Sequence, residues 1–150
     1  MKWLLRVFVC FLVLAFLIFL FYCNNLALVN KQAVSFYKEL KKELKEHGYN
    51  PRLLVISTKR LPFHNNIQVK FSGAASKSKH LDGDAIDFLV FDVNNDGEKN
   101  SKDVDIVTEL LENKIMKDKG GIGTYKKDRF KMNRQMIHID CRDKKGRWNR

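Results

Sequence analysis

Hydrophobic and polar residues are unevenly distributed along this chain, and the first thirty residues differ from the rest. Residues 7–23 form an unbroken apolar run of 17 residues, preceded by Lys2 and Arg6. This length is at the lower limit for a membrane-spanning helix, and no small-residue cleavage site follows it. The pattern predicts an uncleaved signal anchor within residues 1–30, with a cleaved signal peptide and a buried core helix as alternatives. The positive flank is expected to stay in the cytoplasm, so the domain that follows is exported.

The next segments show the spacing of one helix and one buried strand. Apolar residues recur every three or four positions over residues 31–47, which predicts an amphipathic helix that Gly48 and Pro51 end. Residues 53–57 predict a short buried strand. The later segments are expected to be a loop at 58–66, a strand or extended loop at 67–71 and a polar loop at 72–79.

The second half of the chain alternates between strand and helix patterns. The elements predicted there are a strand at 84–91, a helix at 102–118, a short strand or turn at 122–125, a basic loop at 126–134, a strand at 135–141 and a basic tail at 142–150. We therefore expect one α+β domain over residues 31–150, with a small antiparallel sheet and flanking helices, preceded by one transmembrane helix.

The charge of the chain favours an anionic partner. The net charge is +11, and Lys2 and Arg6 are the only charged residues among the first thirty. Such a surface suits anionic lipid, nucleic acid or an anionic wall polymer. Export and the lack of a nucleic-acid motif argue against nucleic acid. The three cysteines show no zinc-finger or redox spacing, and Cys141 is expected to be a small buried residue.

Residues 92–103 have the pattern of a twelve-residue calcium loop. Gly97 occupies the position of the sharp turn, and the last residue is an aspartate, as in dockerin loops, which these residues resemble. The alternative is an Asx-rich turn that caps the next helix without an ion. The predicted calcium ligands are Asp92, Asn94, Asp96, Glu98, Asn100 and Asp103.

Two histidines and one aspartate form a candidate metal site. His80 precedes a predicted strand that carries Asp87, and Gly83 allows the chain to fold back between them. His138 lies on a second apolar strand. Two imidazoles and one carboxylate are a ligand set that zinc accepts with a free position for water. From the residues alone, a histidine buried and hydrogen-bonded in the core is the more common alternative.

The motif around these residues resembles a known family. Ser78, His80, Gly83, Ala85 and Asp87 form S-x-H-x-x-G-x-A-x-D, which is similar to the zinc-site signature of the D-Ala-D-Ala carboxypeptidase family of metallopeptidases, whose fold is shared with the hedgehog signalling domain. The later segments 120–125 and 137–140 are similar to the murein endopeptidase branch, and segment 57–65 is similar to that family's arginine-containing segment. The resemblance implies zinc held by His80, Asp87 and His138, and it implies that Arg60 binds the substrate's carboxylate or scissile carbonyl.

The chain departs from the family pattern at Thr58 and Lys59, which replace a Gly-Tyr pair before the arginine, and at the position of the general base. Several branches have an acidic general base three residues before the last zinc histidine, where this chain has Gln135. Asp140 is the nearby carboxylate on the His138 face of the strand. It has two possible roles, activating the zinc-bound water or orienting a ligand.

The resulting expectation is a zinc peptidase of the bacterial envelope. It would act on peptidoglycan stem peptides or cross-links, as a carboxypeptidase or an endopeptidase, with Zn²⁺ at the catalytic site and Ca²⁺ in the 92–103 loop. Its partners would be peptidoglycan and the membrane, and it would be anchored to the inner membrane, or secreted if the signal is cleaved. The alternative is a non-catalytic, metal-stabilised wall-binding module of the same fold.

Overall fold

The computed structural model describes residues 2–72, 75–126 and 135–149. Its helices are α1 (Lys2–Asn24), α2 (Lys31–Glu46), α3 (Pro62–Ser72), α4 (Lys79–Asp82) and α5 (Ser101–Leu110), which continues as a wider π-helical turn over Leu111–Met116. Its strands are β1 (Leu53–Ser57), β2 (Ala85–Val90), β3 (Gly121–Tyr125), β4 (Met136–Asp140) and β5 (Gly146–Asn149). The α+β class is confirmed.

The sheet is mixed, whereas the sequence predicted an antiparallel one. Its strand order is β1-β2-β4-β3-β5, and the first three pairings are antiparallel. The edge strand β5 pairs in parallel with β3. The expected basic tail therefore contains a strand, and the parallel pairing corrects the prediction.

The core lies between one face of the sheet and helices α2 and α5. Strand β2 places Ile86, Phe88 and Val90 on this face, where all three are fully buried. Tyr37 of α2 contacts Phe88 edge-on, with ring centroids 5.4 Å apart. The helix contributes its predicted apolar stripe because those residues recur on one side. Asp87 alternates with the core residues and therefore points to the opposite face of the sheet.

Helix α3 covers residues 62–72, where the sequence predicted a loop (58–66) followed by a strand or extended loop (67–71). Pro62 takes the first helical position, where its missing N–H is not needed and its φ is already suitable. The helical spacing was not visible because the apolar residues Phe63 and Ile67 are exposed rather than part of a buried stripe. His80, expected in a loop, lies in the short helix α4.

Helix α1 confirms that the apolar N-terminal run is helical. Lys2–Phe19 is long and apolar enough to cross a membrane, although a signal sequence has the same features. The predicted basic loop at 126–134 lies outside the described residues except for Lys126.

Candidate metal centre

Most of the candidate site lies along one row of paired residues that runs across the strands of the sheet. Register pairs Ser57 with Asp87, Asp87 with His138, His138 with Gly123, and Gly123 with Trp148. Paired residues on neighbouring strands share a face, with Cβ atoms about 5 Å apart. The register of β2 against β4 therefore brings Asp87 and His138 together, although 51 residues separate them in the chain.

Helix α4 brings His80 to the same point. The Ser78 side chain caps the helix by accepting from the His80 N–H, and Gly83 ends it in the left-handed conformation with φ of 78°. A side chain at Gly83 would not fit, because its Cβ would lie 2.8 Å from the Leu28 carbonyl oxygen. The serine and glycine of the sequence motif thus begin and end the short helix that carries His80.

The three expected ligands converge. Asp87 Oδ1 lies 2.7 Å from His138 Nδ1, and Asp87 Oδ2 lies 3.0 Å from His80 Nε2. The two histidine nitrogens are 3.3 Å apart. One ligand atom from each residue falls within 4.8 Å of the other two. His80 and Asp87 are buried, and His138 is slightly exposed.

Each histidine ring has an inner nitrogen that faces Asp87 and an outer nitrogen that points away from it. Each outer nitrogen lies next to a hydrogen-bond acceptor. His80 Nδ1 lies 2.5 Å from the Thr58 carbonyl oxygen, and His138 Nε2 lies 3.2 Å from Asp140 Oδ2. A carbonyl or carboxylate oxygen only accepts, so each outer nitrogen carries the proton. The inner nitrogens consequently present lone pairs to the Asp87 carboxylate. Three such acceptors in contact require a cation between them, either a proton or a metal ion.

The electrostatics of the site also favour a cation. Burial lowers the pKa of His80 despite the nearby Asp87 carboxylate, so this ring is neutral at pH 7. Burial acts the same way on His138, but hydrogen bonds and charges from Asp140 and Asp87 prevail and raise its pKa to about 9. Burial would raise the pKa of Asp87, but the two histidines hold it well below its usual range. The raised pKa places a proton on the inner nitrogen of His138 at neutral pH, so this proton is one cation that fits between the ligands, and a metal ion would replace it.

The donor set fits zinc. Ligands about 2.0–2.1 Å from a tetrahedral zinc lie about 3.3 Å from one another. The observed separations of 2.7–3.3 Å approach this spacing. A ligating histidine usually donates its other N–H to a carbonyl or carboxylate, as both histidines do here.

Arg60 is buried beside the carboxylate. Its guanidinium donates to Asp87 Oδ2 at 2.5 Å and to the Ser57 hydroxyl at 2.9 Å. Its main-chain N–H donates to the His80 carbonyl at 2.8 Å. The structure thus brings the predicted arginine into contact with the metal-ligand cluster.

Asp140 is fully buried and fully engaged in hydrogen bonds. Besides the contact with His138, it accepts from the Gly121 N–H at 3.1 Å. The Arg142 guanidinium donates to both of its oxygens, at 2.8 and 2.6 Å. Burial alone would raise its pKa, but the hydrogen bonds from His138 and Arg142 hold the pKa far below its usual range. Such a carboxylate is a weak base and a strong hydrogen-bond acceptor.

One comparison with known proteins decides the family. A model of the M15 peptidases described as peptidoglycan L,D-endopeptidase MepK matches residues 21–148. The chain belongs to this peptidase family. No curated protein and no solved structure matches the chain. The expected relationship to the M15 metallopeptidases that act on peptidoglycan is thereby confirmed, while the carboxypeptidase type is not.

The candidate site is bordered by an aromatic wall, formed by Trp148 and Tyr125, that the sequence did not predict. The Trp148 ring lies 5.3 Å from the His138 ring, and the Arg142 guanidinium lies 5.2 Å from Trp148. Trp148 Nε1 donates to the Tyr125 hydroxyl at 3.4 Å. Trp148 has room because Gly123 lies beneath it, where a Cβ would approach the ring to 2.4 Å. Only the parallel pairing of β5 reveals this contact, since one tryptophan in a basic tail carries no strand signal.

Gln135 lies just before β4 with a positive φ of 61°. Its carbonyl accepts from the Val90 N–H at 2.8 Å. Its side-chain Oε1 is buried and has no hydrogen-bond partner within the described residues. Gln135 thus holds the end of β4 in place, and as an amide it cannot act as a base.

The six predicted calcium ligands lie in an Asx-rich loop held by its own hydrogen bonds, and among the described residues its carboxylates do not form a metal-binding cluster like that of His80, Asp87 and His138. Asp92 accepts from the main-chain N–H of Asp96 at 3.1 Å and of Gly97 at 3.2 Å. Asp103 is fully buried and accepts from Val93 at 2.8 Å and from Asn100 at 2.9 Å, which completes a capping box at the start of α5. The helix-capping alternative describes these contacts, and calcium binding stays a prediction.

Proposed function

We propose that this protein is a zinc-dependent peptidase that hydrolyses peptide bonds in peptidoglycan. The observation that carries the proposal is the convergence of two histidine lone pairs on the Asp87 carboxylate, with both outer nitrogens held by acceptors. His80, Asp87 and His138 would hold the zinc. A zinc ion there supplies Lewis-acid activation of water and of the scissile carbonyl.

Arg60 is assigned to the substrate. Its guanidinium is buried next to Asp87, so an approaching carboxylate or carbonyl oxygen would meet a desolvated positive charge. An oxyanion that forms beside Asp87 would be stabilised by the same group.

Asp140 is assigned to the orientation of His138 rather than to base chemistry. Every hydrogen bond it accepts holds it in place, and its depressed pKa makes it a poor proton acceptor. The sequence left two roles open for Asp140, water activation and ligand orientation, and we propose the second.

We further propose that the bond cleaved is an L,D bond in a cross-link, because the matching family model is described as an L,D-endopeptidase. The positive net charge of +11 favours approach to the anionic wall. Helix α1 would keep the enzyme in the envelope as a signal anchor, with the domain outside the cytoplasm.

The decisive experiment is digestion of defined muropeptides by the full-length protein in detergent. Cross-linked and stem peptides are incubated with zinc-loaded protein, with chelator-treated protein, and after zinc is restored. We expect cleavage of cross-links only when zinc is present. His138→Ala should abolish cleavage, whereas His47→Ala, an exposed histidine at the end of α2, should leave it unchanged.

A second candidate function is the non-catalytic wall-binding module. It is favoured by Gln135, which stands where a base is expected and cannot accept a proton. Folded, zinc-loaded protein that leaves every muropeptide intact yet still sediments with peptidoglycan would establish this function instead.

Calcium binding by residues 92–103 is a separate proposal supported by the spacing of the six oxygen-bearing residues. Calcium should then raise the melting temperature, and Asp96→Ala should remove that rise. Asp105→Ala, an exposed change on the following helix, serves as the control. An unchanged melting temperature in the wild-type protein would leave the segment as a helix-capping turn.

A further inference from the structure

The connection between α1 and the domain is short and hydrogen-bonded. The Asn25 carbonyl accepts from the Thr58 hydroxyl at 3.4 Å. The Asn30 N–H donates to the Gly83 carbonyl at 2.9 Å. Both partners are next to His80: the Thr58 carbonyl accepts from its ring, and Gly83 ends the helix α4 that carries it. The end of α1 is therefore tied to the part of the domain that forms the metal centre.

Helix α3 contacts α1 inside its apolar run. The rings of Phe19 and His64 meet edge-on, with centroids 5.1 Å apart. Phe19 lies four residues before the end of the apolar run at residue 23, which is about 6 Å along a helix. If α1 spans a bilayer, α3 lies about 6 Å inside the boundary. Helices that lie in the interface plane are buried to about 5–10 Å.

The exposed side of α3 begins with apolar residues and ends with the polar residues Asn66 and Lys70. Phe63 and Ile67 lie one turn apart and are 75% and 42% exposed, and Leu61, just before the helix, is 45% exposed. Single exposed apolar residues are common in soluble proteins and need no explanation. Three within seven residues, beside a helix long enough to span a membrane, form a patch that water would solvate poorly.

We propose that α3 lies in the bilayer interface, with Leu61, Phe63 and Ile67 inserted among the lipids, so that the domain and its metal centre rest on the membrane surface. The occupant is lipid rather than a second copy of the chain because, with α1 across a bilayer, the contact between Phe19 and His64 would set α3 at the depth of the acyl boundary. The positive net charge adds attraction to anionic headgroups. This inference goes beyond the proposed function and requires no catalysis.

The test places a nitroxide spin label at residue 63 or 67 of the full-length chain, as Phe63→Cys or Ile67→Cys in a background of Cys10→Ala, Cys23→Ala and Cys141→Ala. The protein is reconstituted into nanodiscs that hold one chain each. Collision with oxygen reports lipid, and collision with a water-soluble nickel chelate reports water. The control is Lys45→Cys on the exposed side of α2.

We expect labels at 63 and 67 to collide several-fold more with oxygen, and several-fold less with nickel, than the label at 45. Labels at both positions that are as accessible to nickel as the label at 45 would overturn the proposal. Protection that develops only in discs holding two chains would also overturn it, in favour of a second copy as the occupant. Circular dichroism of each labelled chain confirms that α3 is intact before the comparison.

Discussion

At the scale of single residues, the candidate site is defined by which atoms have hydrogen-bond partners. Thr58 and Asp140 fix the protons on the outer nitrogens of His80 and His138, so the inner nitrogens are left as ligands. Asp140 is in turn fixed by Arg142 and by the Gly121 N–H. The ligand geometry thus depends on a carboxylate that does not itself belong to the ligand set.

Asp140→Asn tests this role. The amide retains an oxygen acceptor for His138 but loses the negative charge and the paired acceptors for Arg142. We expect zinc affinity to fall about 10–100-fold, as for other residues that orient a ligand. Activity at saturating zinc should be largely recovered, with an unchanged pH profile. Asp143→Asn, an exposed neighbour, is the control.

The opposite result would assign Asp140 to base chemistry. Zinc affinity that stays at the wild-type value, together with activity that is lost at every zinc concentration, would contradict an orienting role.

At the scale of secondary-structure elements, the sheet places small residues beside functional ones. Asp140 pairs with Gly121, and a Cβ at Gly121 would lie 2.4 Å from the Asp140 carboxylate. The next strand in the same row carries Gly146, where a Cβ would meet only the end of the Arg142 side chain at 3.0 Å. Neither glycine has a positive φ, so sterics rather than backbone conformation distinguish them.

The pair Gly121→Ala and Gly146→Ala tests this arrangement. Gly121→Ala should displace Asp140 and destabilise the domain by about 1–3 kcal/mol, the usual range for an overpacked site. It should also weaken zinc binding. Gly146→Ala should have a smaller effect, since its Cβ would lie 3.0 Å from Arg142 Nη1, and a shift of a few tenths of an ångström there can leave the Nε and Nη2 hydrogen bonds to Asp140 in place. The free energy of unfolding is measured in urea and the zinc affinity by titration. If Gly121→Ala and Gly146→Ala lose equal stability and equal zinc affinity, the position of Asp140 does not depend on the space above Gly121.

The sequence predicted the elements whose apolar residues repeat on one buried face: α2, β1, β2, β4 and most of α5. It also predicted the residues of the candidate site, since Ser78, His80, Gly83 and Asp87 are close enough in the chain for one motif to contain them. It did not predict α3, whose apolar residues face outward, or β5, which has a single apolar residue and pairs with a strand about 25 residues away. The aromatic wall could not be predicted either, because Trp148 reaches His138 only through the register of three strands.

At the scale of the whole molecule, the metal would tie together parts of the chain that local structure does not. Helix α4, strand β2 and strand β4 each contribute one of the three expected ligands. A ligand that binds the folded state alone stabilises it by about 2.7 kcal/mol at 100 times its dissociation constant.

Zinc should therefore raise the melting temperature of the chelator-treated protein, and a chelator should reverse the rise. His80→Ala should lose most of this shift because one of the three ligands is absent. Differential scanning calorimetry of both proteins, with and without zinc, makes the comparison. A shift of the same size in His80→Ala would mean that zinc stabilises the protein from another site.

The segment that joins α1 to α2 has a consequence for maturation of the protein. In the folded protein, residues 26–28 form a 3-10 turn between the hydrogen-bonded Asn25 and Asn30. Cleavage here requires this segment to be open, so the folded domain protects it. If α1 is instead a cleaved signal peptide, its removal would compete with folding of the domain. A chain that folds first would keep its anchor, and a slowly folding variant would be released more often.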